Sequence, residues 1–462
     1  MLKKQIPNVF PLHLAPIDHF FLEDDTPHYP MTSIIHLDFT GAIQRPAFET
    51  ALDTALQRHA LLRSHIKPAK QNRPCWVKAS TDLPWMDWGP IDKPLELPTQ
   101  EQIDLSESTG LRFWIRGDQE TTRVTLQVHH ACTDGTGVYR FLGDLLAAYA
   151  AQTSDDPAAE PQFAEINPVL LRDRRRKMAD EGHQVLSIPT YVFHSLKKAF
   201  DIFGKSIRAL APPTGRERSE TSHETFPSVH SVELDKAQHK KLRAIAGNYG
   251  GTLNDLLMTE MFRTIVRWND THGKSTGNPW LRIMMPFDLR EQSDYHMPAA
   301  NMTSYTFVTR RKSQCVDLKG LMTSVRDETL ALKHQRAGTQ FIDAIMAAAH
   351  APYILTYLLR RKSCIATTCL SNIGDPSKRF TAELPRSKGR IVAGNLTLEN
   401  VTGVPPLRHH THATLAVFSY LRKLTISVRC DPFLFNAQDS IAFVSMFRNG
   451  LLSHIADDAS DA

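Results

Sequence analysis

The 462-residue sequence has no CxxC pair and only six cysteines, Cys75, Cys132, Cys315, Cys364, Cys369 and Cys430, scattered along its length. That spacing excludes the dense disulfide framework of a small secreted domain and points to a reducing compartment, the cytoplasm. Long apolar runs are missing too. The most apolar stretch, residues 341–359, is interrupted by Asp343, His350 and Pro352, and reads as a pair of buried helices rather than a membrane span. The opening MLKKQIPNVFPLHLAP carries charge without an apolar core, so no secretory signal is expected. Neither Gly204-Lys205-Ser206 nor Gly273-Lys274-Ser275 has the upstream glycine of a phosphate-binding loop. The net charge is only +5 with basic residues spread throughout, which argues against a nucleic-acid partner. There is no internal repeat and no low-complexity run.

What is present is an ordinary globular composition, 42% hydrophobic and 22% charged, in a chain long enough for two domains of ~100–200 residues. The expected division is an N-terminal lobe over 1–160, a linker and basic helical segment over 161–228, and a C-terminal lobe over 229–462. Residues 31–43 read as a strand, and Pro46 then opens a helix with Phe48, Leu52, Ala55 and Leu56 on one face. Period-two alternation at Leu111, Phe113 and Ile115, a GDQET turn, and renewed alternation from Val124 predict a β-hairpin. Val138, Phe141, Leu142, Leu145, Leu146 and Tyr149 then form a helical stripe. In the second half HSVELD is strand-like, Gly250 and Gly251 mark a left-handed helix end, and Thr252 with Asp255 opens the next helix. Further strands are expected over 281–286, 304–310, 364–370, 390–398, 414–420 and 423–429, with a closing helix over 440–452.

The sharpest feature is His129-His130-Ala131-Cys132-Thr133-Asp134-Gly135, an HHxxxDG string between a strand and a helix. Its composition-based chance frequency is about 0.002 per chain, so accident explains it poorly. Alternation places His130 on the face of Val124, Leu126 and Val128, and His129 on the opposite face. Partial desolvation there favours a neutral imidazole, suited to taking a proton from a hydroxyl or amine as it attacks a carbonyl. Gly135 is free to adopt a positive φ beside the ring. Asp134 has two readings: it orients His130, or it pairs with an arginine and holds the loop.

This string resembles the signature of the superfamily of nonribosomal peptide synthetase condensation domains, chloramphenicol acetyltransferase, carnitine acyltransferases, the plant BAHD enzymes and wax ester synthases. Shorter elements follow in matching order: Arg58-His59-Ala60-Leu61-Leu62-Arg63 resembles an RHxxLR segment, and Gly251-Thr252-Leu253-Asn254-Asp255 a second-half helix start. Pro286-Phe287-Asp288-Leu289-Arg290 is similar to a PxDxR strand end, and Ser371-Asn372-Ile373-Gly374 to an SNxG element. The resemblance implies an α/β fold of two chloramphenicol-acetyltransferase-like lobes, each a mixed, antiparallel-rich sheet with flanking helices, and an active-site tunnel at the lobe interface. It implies His130 as general base, Gly135 giving space to a pantetheine arm, and Asp134 paired with an arginine, first Arg290 and second Arg58. The DFGWG string of the plant enzymes is missing, as are carrier-protein, adenylation and thioesterase motifs, so any carrier is expected in trans.

The implied reaction moves an acyl group from an acyl-CoA or acyl-phosphopantetheine thioester to an alcohol or amine, with no tightly bound cofactor. Its oxyanion donor is left between a backbone N–H near Gly135 and the side chain of Asn372, beside Ser371. The alternatives are a freestanding condensation enzyme forming an amide on a carrier-bound amine, and a noncatalytic module of the same fold that binds a carrier or lipid. His409, His410 and His412 lack spaced Cys or carboxylate partners and read as a surface turn, not a metal site. Cys132 reads as a packing residue. The run Arg174-Arg175-Arg176-Lys177 reads as a solvated helix face, with acidic carriers or coenzyme A phosphates as its functional alternative.

Overall fold

The computed structural model describes residues 8–68, 74–79, 83–156, 158–174, 204–273, 277–334, 339–349, 356–357, 359 and 364–460. Two compact units divide the chain. The first takes Met1–Val185, Asp288–Thr303 and Asp375–Val401; the second takes Leu186–Phe287, Ser304–Gly374 and Thr402–Ala462. The changeover at 185/186 falls inside the expected linker, yet the described flanks of that linker are packed: Leu171 and Arg174 are buried, as are Ile207 and Leu210. Two segments expected in the C-terminal lobe, Asp288–Thr303 and Asp375–Val401, belong to the first unit. Arg175, Arg176 and Lys177 lie outside the described residues, as do Lys274, Ser275 and most of 350–363.

The first unit is built on a seven-stranded sheet in the order Arg386–Ser387, Arg390–Ala393, Leu396–Val404, Thr32–Thr40, Thr121–His129, Leu111–Gly117, Trp85–Gly89. The expected hairpin is present, with Leu111 opposite Val128 and Gly117 opposite Thr122. Thr32–Thr40 pairs antiparallel to the same strand, Thr32 facing His129. Only the edge pair Trp85–Gly89 with Leu111–Gly117 is parallel among the registered pairs of this sheet. The expected single strand over 390–398 is instead a hairpin, because Gly394 takes a left-handed φ of 58° between Arg390–Ala393 and Leu396–Val404. Helices Arg45–Arg58 and Gly135–Gln152 bury Phe48, Leu52, Ala55 and Leu56, and the predicted stripe from Val138 to Tyr149. A three-stranded sheet of Leu12–His13, Pro74–Lys78 and Ser64–Pro68 completes the unit.

The second unit holds a mixed six-stranded sheet ordered Thr303–Arg311, Trp280–Asp288, Thr368–Gly374, Ala413–Phe418, Leu424–Cys430, His230–Leu234. Thr368–Gly374 runs parallel to both of its neighbours, and the last three strands are antiparallel. It starts later than the expected 364–370: residues 364–367 lead in as coil and bends, with Thr367 N–H bonding the Arg282 carbonyl at 2.8 Å. Helix Lys236–Asn248 ends at Gly250, whose φ is 66°, and helix Leu253–His272 opens with the Asp255 carboxylate accepting Thr252 N–H at 2.7 Å. Phe262, Ile265 and Trp268 from that helix meet Leu415, Val417, Ile426 and Val428 of the sheet. Phe443, Val444 and Phe447 of the closing helix Ala437–Ser460 fill the same core.

Candidate functional site

The strand Thr121–His129 ends one residue before His130, and its partner strand decides how. His129 N–H bonds the Gly110 carbonyl at 2.8 Å and His130 N–H bonds the Met31 carbonyl at 2.8 Å, so the two histidines leave the sheet in strand geometry. They therefore face opposite ways. His129 is fully buried; its Nδ1 accepts Ala131 N–H at 3.1 Å and its Nε2 lies 3.6 Å from the Asp25 carboxylate.

His130 retains 8% exposure. Its ring stacks on Phe21 at 4.2 Å and 18°, from helix Pro16–Asp24. Nδ1 is buried with no hydrogen-bond partner. Burial pushes the imidazole down to about 4 against the opposing influence of the Asp134 charge, so the ring is neutral near pH 7. The His130 carbonyl accepts Asn301 Nδ2 at 2.7 Å, which ties the backbone of His130 to a segment 171 residues away.

Asp134 caps the helix Gly135–Gln152: Oδ1 accepts Gly137 N–H at 2.8 Å. Oδ2 accepts Arg290 Nη1 at 2.8 Å and Met302 N–H at 2.7 Å. Burial alone would raise this carboxyl, but the Arg290 guanidinium and the two amides hold it below the usual carboxylate range. Arg290 is held in turn by Asp288 at 3.1 Å and by the Ala300 carbonyl at 2.8 Å. Asp134 is thus occupied by donors from 288–303, and its pairing with Arg290 corresponds to the second of its two readings. Arg58 is engaged elsewhere. It donates to Asp144 at 2.6 Å, while His59 accepts Ala299 N–H on Nδ1 and faces the same carboxylate with Nε2 at 3.2 Å. The RHxxLR segment therefore braces the middle of the motif helix.

Gly135 does not take the left-handed conformation anticipated for it. It is the first residue of the helix, where φ is negative, because the Asp134 cap starts the helix at once. The glycine that close packing demands is Gly137, which the string does not include. A Cβ there would lie 2.1 Å from Thr133 Oγ1 and 2.9 Å from both the Ala300 N and O atoms. A glycine two places beyond HHxxxDG was the available signal; Asn301 and Phe21 left none, since their partners are distant in sequence. Cys132 is fully buried, and burial pushes its thiol well above its ordinary range.

Ser371 and Asn372 lie on Thr368–Gly374 of the second unit. Asn372 Oδ1 accepts Gly374 N–H at 3.2 Å, and its Nδ2 donates to Asn254 Oδ1 at 3.5 Å. Among the described residues no group of three or more His, Cys, Asp or Glu side chains is arranged to hold a metal ion. No described helix is long and apolar enough to cross a membrane.

The chain has a condensation-domain-like α/β fold, two lobes rich in mixed sheet. Its fold matches the first condensation domain of the calcium-dependent antibiotic synthetase, solved with a substrate analogue, at a TM-score of 0.67 and 14% identity over 96% of each chain. Polyketide synthase associated protein 5 from Mycobacterium tuberculosis matches at 0.63 and 16% identity, over 95% of this chain and 97% of that one. The starter condensation domain of rhizomide synthetase, as a double mutant in complex with C8-CoA and Leu-SNAC, matches at 0.62 and 12% identity, over 96% of this chain and 94% of that one. No family model matches the sequence. An uncharacterized protein of Mycobacterium tuberculosis strain H37Rv is 23% identical over 384 residues, 79% of this chain and 83% of its own length. A phthiocerol/phthiodiolone dimycocerosyl transferase of Mycobacterium sp. strain JLS is 26% identical over 222 residues, 45% of this chain and half of its own length.

Proposed function

We propose that this protein is a thioester-dependent acyltransferase with His130 as its general base. The observation that carries the reading is the state of His130: a neutral, nearly buried imidazole at a strand end, next to a carboxylate already committed to Arg290. Asp134 then holds the loop, and the imidazole is free to act on a substrate. The acceptor O–H or N–H passes its proton to His130 as the nucleophile attacks the thioester carbonyl. The tetrahedral oxyanion collapses, the C–S bond breaks, and the imidazolium returns its proton to the departing thiolate. The backbone N–H of Gly135, in the first turn of the motif helix, is our candidate oxyanion donor. Cys132, its thiol buried and strongly protonated, takes no covalent part.

The condensation-like fold and the distant transferase relative support this reaction class. Acyl-CoA or a carrier-bound acyl-phosphopantetheine is the donor we favour, in keeping with the C8-CoA bound to the rhizomide domain. The Leu-SNAC in that same complex favours a second reading, in which the acceptor is a thioester-bound amine and the product an amide.

The test is incubation of the purified protein with a panel of acyl-CoAs and with alcohol, free amine and aminoacyl-thioester acceptors, following free thiol and the product by mass. Acceptor-dependent thiol release that disappears in a folded His130→Ala variant is the expected result. Release that persists in that variant overturns the role of His130, and an absence of release with every pair overturns the enzymatic reading in favour of a binding module.

A further inference from the structure

Trp280 begins the strand Trp280–Asp288 of the second unit, and the chain around it is assembled from three distant segments. Ile207 forms a parallel bridge with Trp280, and Arg208 N–H donates to the Trp280 carbonyl at 2.9 Å. The Arg208 carbonyl accepts Thr367 Oγ1 at 2.7 Å, so its backbone is held from both sides. Arg311, at the end of Thr303–Arg311, lays its guanidinium 3.9 Å from the Trp280 ring centroid and donates Nη1 to the Asn278 carbonyl at 2.8 Å. Lys205 Nζ lies 5.3 Å from the same ring. An indole face attracts one cation readily, and here two share a single ring.

These residues line a cavity of about 770 Å³, within the range of small-molecule sites. Lys205, Arg208 and Arg311 contribute three permanent positive charges, and the described lining residues include no carboxylate. His410 and His412 close the lining. Burial first, and then the neighbouring His409, His412 and Arg218, push His410 down to about 4; burial lowers His412 in the same direction. Both rings are therefore neutral near pH 7 and offer hydrogen bonds rather than charge. His412 Nδ1 spends its proton on the Leu210 carbonyl at 2.7 Å, whereas His410 keeps a buried Nε2 with no partner. A concave surface with one sign of charge raises the local concentration of the opposite ion, and a buried unmatched ring nitrogen calls for a hydrogen-bond partner.

We propose that this cavity is a binding site for a small molecule carrying a diphosphate, held by Lys205, Arg208 and Arg311 with His410 Nε2 donating to a phosphate oxygen. Three cations spread over a cavity of this size match two linked phosphates better than one. Arg311 is the central contact, because its fork is already oriented over Trp280 and charge-assisted bonds to phosphate are strongest from a preset guanidinium. The assignment is independent of the acyl-transfer reading, since every lining residue belongs to the second unit and His130 to the first.

Isothermal titration of the full chain with inorganic pyrophosphate at low salt tests it. One saturable site per chain is expected, weakened about 10-fold or more by Arg311→Gln, again by Lys205→Gln, and unchanged by His130→Ala. Lys205 is exposed, so its variant keeps the test open if Arg311→Gln fails to fold. No saturable binding, or binding that survives both substitutions in proteins melting like the wild type, overturns the site. Equal affinity for orthophosphate and pyrophosphate overturns the diphosphate assignment.

Discussion

Arg290 donates Nη1 to the Asp134 carboxylate at 2.8 Å, with both side chains only 6% exposed. The two residues are 156 positions apart, so the pair stitches the 288–303 segment to the loop that carries the paired histidines. A buried ion left without its partner is strongly destabilising, because its desolvation is no longer offset. Asp134→Ala and Arg290→Ala are each expected to lower unfolding stability by about 3–5 kcal/mol, the double variant costing less than the sum. Urea unfolding measures this; an Asp134→Ala protein that unfolds like the wild type but loses turnover makes Asp134 an orienting group instead.

For His130→Ala, turnover should fall by about 10²–10⁴-fold in a protein that remains folded, the usual contribution of a positioned general base. His129→Ala should affect stability more than rate, since that ring is buried against Ala131 N–H on the opposite strand face. Steady-state rates alongside melting curves separate the two, and equal rate losses for both variants would contradict the assignment.

A base must be deprotonated to act, and burial has already pushed His130 down to about 4. The acid limb of the kcat/KM profile should therefore fall near pH 4, with a flat rate from about pH 5.5 upward, rather than near the ordinary histidine value of about 6.5. A limb at pH 6–7 that vanishes in no other variant would place the working base elsewhere or outside this buried setting.

The same depression acts on folding. Between about pH 6.5 and 4 the unfolded chain protonates this histidine and the folded chain does not, so stability is present above that window and lost as pH falls through it. The contribution is roughly 3 kcal/mol. Unfolding free energies measured from pH 7 to 4 should decline less steeply in His130→Gln than in the wild type; parallel curves would refute the shift.

Gly137→Ala should destabilise by about 1–3 kcal/mol, the range for overpacking a well-filled site. Two of the atoms its Cβ would meet, Ala300 N and O, are backbone and cannot swing away. Melting temperature is the readout, and a neutral substitution would mean that the 288–303 segment yields.

The hairpin from Leu111 to His129, the helix behind Asp134 and the opposite facing of His129 and His130 are all legible in the sequence. Each follows from residue spacing within about twenty positions. The stop at Gly250 and the Thr252 to Asp255 contact are legible for the same reason. The hairpin at Gly394 is not, because a lone glycine in a strand pattern does not announce a turn. Nor is the need for glycine at 137, since a close approach by Ala300 has no local signature.

Local pattern thus determined the chemistry on offer: a histidine at the end of an apolar strand face, followed by an acid and a helix. Tertiary structure decided between Arg290 and Arg58 as the partner of Asp134, and it alone decided that Phe21 stacks on His130, that Asn301 holds its backbone, and that 375–401 supplies strands to the first unit's sheet. The physical reason is range. Strand alternation and helix capping act through neighbouring residues, whereas desolvation and ion pairing depend on whatever distant segments the folded chain packs against the site, and those set the protonation state of His130.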